Sequence, residues 1–147
     1  MSARKMIGAT AAAVLLALPL IAVARRGEGM AVGAAVTVAE HAAGNPTAAI
    51  DPRDGTGLVA WIATEGGASS VWLARVDGEG RTGAAVRVND RPGDAAPHEQ
   101  APAEVAVGPD GAVFVLWQNN TPVEGRRFHA SDLRLAVSED GGRSFRP

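Results

Sequence analysis

Glu99 and Glu104 are two carboxylates in and just after a proline-rich, acidic stretch, NDRPGDAAPHEQAP at 89–102. Two carboxyl groups can hydrolyse a glycosidic bond when folding holds them roughly 5–10 Å apart, one as acid and the other as base or nucleophile. The same stretch has the composition of a cation or ligand loop, although a connection between two structural units is the simpler reading. His41, His98 and His129 are the imidazoles available to a metal, but none shows the His-x-His or His-Glu-x-x-His spacing that puts two ligands on one ion. They read as solvated or turn histidines. No Ser-His-Asp order, phosphate loop or nucleotide fingerprint is present.

Around these residues the chain is built mostly from turns. It has 147 residues, 18 Gly, 9 Pro, no cysteine and a formal net charge of −2. Without disulfides, stability has to come from sheet packing or from additional chain or partners. The charge gives no electrostatic case for nucleic acid or for anionic lipid. At the N-terminus, Arg4 and Lys5 precede an uncharged Ala- and Leu-rich run over 6–24 that closes on Ala22-Val23-Ala24. This is the pattern of an export signal, with small residues before a cleavage point. An uncleaved membrane anchor is the competing reading, because the run nearly reaches the roughly 20 residues that span a bilayer. Arg25 and Arg26 after the run make both flanks basic and leave an anchor's orientation open. The export reading is preferred and places the protein outside the cytoplasm, periplasmic or extracellular, touching a membrane only through this leader, with a cytosolic protein as the third reading. Residues 25–44 follow as a linker and first strand.

Beyond residue 30 the periodicity is two rather than 3.6. Strands are predicted over 35–40, 47–51, 57–63, 70–76, 85–88, 103–107, 112–118 and 132–137, separated by Asp-Gly and Gly-Gly pairs that suit tight hairpins. Two segments repeat one another: PTAAIDPRDGTGLVAWIA at 46–63 and PAEVAVGPDGAVFVLWQN at 102–119. Asp54-Gly55 and Asp110-Gly111 are 56 positions apart, as are Trp61 and Trp117. The third strands, VWLARVDGEGRTG at 71–83 and LRLAVSEDGGRSF at 133–145, align when the second copy carries six extra residues within 119–131. A period of this size suits a propeller blade, for which about 40–50 residues is typical. Because Trp61 and Trp117 recur at one repeat position they read as packing residues. Trp72 is unmatched by a Trp in the second unit, which makes it the better ligand-facing aromatic. Glu124 and Arg127, in the extra polar loop beside Arg126 and Asp132, are the other candidate ligand-facing residues. Asp132 abuts the third strand and reads as a structural carboxylate.

Ser138, Asp140, Gly142, Ser144 and Phe145 spell Ser-x-Asp-x-Gly-x-Ser-aromatic. This resembles the Asp box, or BNR repeat, of the sialidase-type β-propellers. The residue types suit the turn: a carboxylate to collect backbone N–H groups, a glycine for positive φ, and an aromatic to bury between sheets. In the first unit only Gly80 and Thr82 survive at the box positions, with Val76 and Gly78 in place of its Ser and Asp. The resemblance covers about residues 45–147 and implies an all-β partial propeller of about two four-stranded antiparallel blades. It also implies that the box joins the third and fourth strands of a blade, so the second blade ends where its fourth strand should begin. Further blades are then expected in cis or by oligomerisation.

The box is structural in that family, and the catalytic signatures do not follow it here. The family's first arginine lies in an Arg-Ile-Pro motif, where this chain has Gly44-Asn45-Pro46 and Gln100-Ala101-Pro102. The family nucleophile is a tyrosine, and the chain has none. The resemblance therefore implies an exported binding or scaffold module with a glycan or cell-envelope ligand, and no catalytic residue, cofactor or metal of its own. The alternative is the N-terminal part of a bacterial exo-alpha-sialidase or other glycan hydrolase. A third is an assembly component of the cell envelope.

Overall fold

In the computed structural model, residues 33–40, 43–98, 100–121, 123–125, 127 and 130–146 are described. The apolar leader, His41, Glu99, Arg126 and His129 lie outside them. Residues 34–147 form one compact unit.

The unit is all β. In chain order the strands are β1 (Ala43–Ile50), β2 (Gly57–Glu65), β3 (Ala68–Val76), β4 (Val86–Arg87), β5 (Glu104–Val107), β6 (Val113–Thr121) and β7 (Ala130–Ser138). They make two antiparallel sheets of sequential hairpins, β1-β2-β3-β4 and β5-β6-β7. The second sheet has three strands, as expected of a second blade that ends where its fourth should begin. A single bridge between Val137 and Arg146 stands where a fourth would begin.

β2 is a continuous apolar run because both of its faces are covered, a pattern that period-two reasoning alone would not assign to one side. Leu58, Ala60 and Ile62 join Val71 and Leu73 of β3 on the face toward the second sheet, against Val113, Val115, Trp117 and Ala136. Trp61 and Ala63 join Ala74 on the opposite face, with Val38 and Ala39 packed on them. The segment 35–40, predicted as a strand, is not one. The edge of β2 is taken by β1, so this segment packs by side chains over the sheet's outer face and finds no ladder there.

The repeat is plain in the strand bounds. β2 maps onto β6 at a spacing of 56 residues and β3 onto β7 at 62, the difference being the six extra residues placed between β6 and β7. The first strands do not follow the spacing of 56. Ile50 pairs with Gly57 whereas Val107 pairs with Val113, so β1 maps onto β5 at 57. The surplus residue lies in the first hairpin, Pro-Arg-Asp-Gly against Pro-Asp-Gly.

Among the described residues, side chains of the first sheet and its hairpin reach backbone carbonyls of the connection and of the second unit. Asn45 donates to His98 O at 2.5 Å, Thr47 to Ala103 O at 2.5 Å, Arg53 to Asp110 O at 2.6 Å, and Arg75 to Gly141 O. The stretch 89–102 is the connection between the units, as expected of it. Asn89 is buried and accepts from Val71 N at 2.8 Å, and Ala96 N donates to Gln118 O at 2.8 Å, so the segment is tied to both sheets.

Candidate functional site

Trp72 sits opposite Trp61 on neighbouring strands, and the two indoles face the outer side of the first sheet. Together with Val38, Glu40, Ala63 and Glu65 they line a groove of about 280 Å³. Trp61 is buried at 5 % exposure, Trp72 is half-buried, and Glu40 and Glu65 are exposed. An aromatic floor with carboxylates beside it can stack a sugar ring and accept its hydroxyls, or hold an ammonium group over an indole face. Trp72 lines this groove. The structure adds Trp61, which sequence comparison assigns to packing because it recurs as Trp117. The same repeat position has two environments: Trp117 lies between the sheets with its Nε1 donating to Asp94 O at 2.6 Å, while Trp61 lies on the outer face with Val38 and Ala39 packed against it.

Glu124 and Arg127 are both exposed, in the connection between β6 and β7, and neither lines this groove. Asp132, on β7, is exposed and pairs with Asn119, donating its backbone N–H to the Asn119 side chain at 3.2 Å. Glu104 is exposed on β5, and His98 accepts from Gln100 N at 3.2 Å. Among the described residues no three His, Cys, Asp or Glu side chains gather as metal ligands.

The turn at 138–145 is the most densely bonded part of the molecule. Asp140 accepts from Ser138 Oγ at 2.6 Å, from the backbone N–H groups of Arg143 and Ser144 at 2.9 Å each, and from Ser144 Oγ at 2.6 Å. Gly142 N donates to Ser138 Oγ at 2.7 Å, which closes the loop over the buried serine. The two serine hydroxyls, followed by the Ser144 N–H, hold the Asp140 carboxyl far below the usual carboxylate range. Phe145 packs against the core shared by the two sheets.

The first unit solves the same turn differently. Asp77, one position before the place of Asp140, accepts from Arg81 N at 2.8 Å, Glu79 N at 3.0 Å and Arg81 Nε at 2.6 Å. Those bonds, the Arg81 N–H first, hold its pKa below the usual carboxylate value as well. Thr82, at the place of Ser144, keeps a buried hydroxyl with no hydrogen-bond partner among the described residues. Position-by-position comparison with the second unit misses this turn because its carboxylate has moved by one residue.

Asp51 is the third tied carboxylate. Its side chain is 2 % exposed and accepts from Arg53 Nε at 3.0 Å and Nη2 at 2.8 Å, with Arg53 N at 3.0 Å, and these bonds lower its pKa to about 2. A carboxyl whose folded pKa lies below its unfolded value of about 3.9 stabilises the fold above that value and loses the contribution as pH falls through the folded one. The melting temperature of the full chain should therefore drop between about pH 4 and about pH 2. Asp51→Asn should melt below the parent near neutrality and meet it at the acid end. A gap that stays constant across that window would show that the carboxylate charge is not the source.

The chain matches no family model, no curated protein and no solved structure. Its reading therefore rests on its own geometry.

Proposed function

We propose that the chain is part of an exported, sialidase-like Asp-box propeller and serves as a binding or scaffold module for a glycan or cell-envelope ligand. Its two sheets are then adjacent blades, with the remaining blades in cis or supplied by other chains. One observation carries the reading: the turn at 138–145 has the box's residues, its Asp140 collects four donors, and its Gly142 lies against Leu58 and Leu73 of the preceding sheet. Such a turn fastens one sheet to the next and leaves the faces of the assembly free for recognition. The Trp61–Trp72 groove is the surface offered to the ligand wherever no neighbouring blade is seated on it.

Retaining cleavage of a sialoside in the resembled family needs an activated tyrosine, an acid/base carboxylate and an arginine cluster, and this chain contains no tyrosine. The full chain should release no fluorophore from a methylumbelliferyl sialoside above the no-protein control. Sialyllactose or N-acetylglucosamine oligomers should instead perturb tryptophan emission, and Trp72→Ala should abolish that response. Turnover that survives purification and disappears in Glu124→Ala or Asp132→Ala would replace the binding reading with the hydrolase one.

A further inference from the structure

The face of the second sheet turned away from the first exposes a run of apolar side chains, with the Glu104 carboxylate at its β5 side opposite Leu116. Phe114 and Leu116 on β6 are each 38 % exposed, and Leu133 and Leu135 on β7 are 72 % and 51 % exposed. Leu116 pairs with Leu135 across the strands, and Phe114 with Val137, so these side chains form one patch. Among the described residues nothing covers it. At the spacings of the repeat, the first sheet has Leu58, Ala60, Val71 and Leu73 at the places of Phe114, Leu116, Leu133 and Leu135. All four are fully buried, because the second sheet lies on them. The residues that do the covering include Val115, Trp117 and Ala136, and their counterparts are Val59, Trp61 and Ala74, on the outer face of the first sheet. The molecule thus contains two donor faces and two receiving faces of the same pattern. One pair is joined internally and the other pair is left apart.

We propose that copies of this chain associate head to tail, the Leu116–Leu135 face of one seated on the Val59–Trp61–Ala74 face of the next, repeating between molecules the packing seen within one. The inference shares the Trp61–Trp72 face with the binding reading but rests on the internal repeat, not on the sialidase likeness. Docking has to displace the 34–40 segment, whose half-buried Val38 and Ala39 pack on the receiving face and keep Trp61 and Ala74 buried. A glycan in the groove and a second copy therefore exclude one another. The polar seam is not repeated, since Thr47 and Arg75 have Glu104 and Val137 at their places, and the contact rests on apolar burial. Salt should leave it intact or strengthen it. A heterologous contact of this kind closes a ring or grows a filament, according to the rotation it imposes.

Sedimentation of the full chain should show mass rising with concentration beyond one chain. Leu135→Glu and Val59→Glu should each lose that rise when alone, and a mixture of the two should form dimers and nothing larger, because each keeps the face that the other lacks. Since Val59 is half-buried and its variant could lose its fold, a second measurement uses the absence of cysteine in the parent. With a short thiol cross-linker, Leu135→Cys and Val59→Cys copies should join to one another and not to themselves. A mass of one chain at every concentration, or Leu135→Cys joining efficiently to itself, would overturn the proposal; the latter would indicate a symmetric dimer of second sheets. Neither result bears on sialoside turnover.

Discussion

Gly142→Val should be among the most damaging single substitutions in the molecule, costing about 2–5 kcal/mol of stability. Two effects combine at this position. Its φ of +85° is in the left-handed region, where a β-branched side chain is strained by about 1–2 kcal/mol. Its added Cβ would also stand 3.0 Å from both Leu58 Cδ2 and Leu73 Cδ2, so these fully buried side chains would have to shift. Overpacking of this sort adds about 1–3 kcal/mol. Gly55→Val separates the two effects: Gly55 has φ of +76°, but a Cβ added there would meet nothing within 4 Å. Urea denaturation should therefore show the larger loss at position 142. Equal losses at the two sites would mean that the turn does not bear on the neighbouring sheet.

Leu73→Ala should cost about 2–5 kcal/mol, the usual range for emptying a leucine from a packed core, against a total stability that for a domain is only about 5–15 kcal/mol. Leu73 is fully buried, and its neighbours include Val113 of the other sheet and the Gly142 turn. The void would therefore open in the layer both sheets share. Far-ultraviolet dichroism, which reports both sheets, and emission of Trp117, which lies between them, should shift to lower denaturant together. If the dichroism transition divided while Trp117 held its midpoint, the two sheets would be melting as separate bodies.

Much of this architecture is legible in the sequence because hairpins announce themselves locally. Asp-Gly and Gly-Gly pairs mark the turns, and the recurrence of Trp61 at Trp117 fixes the spacing of the second strands before any contact is known. Three things are not legible, each for a physical reason. The 35–40 segment alternates like a strand but packs on a face, and alternation does not say whether an edge is vacant. The carboxylate of the first turn sits at 77 rather than 78, and a loop can satisfy the same N–H groups from either position. Trp61 and Trp117 are indistinguishable in the repeat, yet one packs between the sheets and the other on the outer face against the 34–40 segment, because what covers a face belongs to a different part of the chain. Trp72 stands out by having no counterpart. Glu124 and Arg127 stand out by charge and composition, which do not determine where a loop projects, and the groove forms without them.

The seam between the sheets has an asymmetry that bears on how such a molecule can change over time. Among the described residues, the side-chain donors at Asn45, Thr47, Arg53 and Arg75 reach from the first unit or its hairpin to the connection and the second unit, and the acceptor of each is a main-chain carbonyl. A carbonyl is present whichever residue occupies its position. Positions 98, 103 and 110 can therefore drift in side-chain identity without removing an acceptor, as long as the backbone path holds. Loss of any one donor, by contrast, breaks its bond at once. Selection for a joined pair of sheets then acts on the two copies unequally, and repeats that began alike can lose their likeness along one side of the junction first.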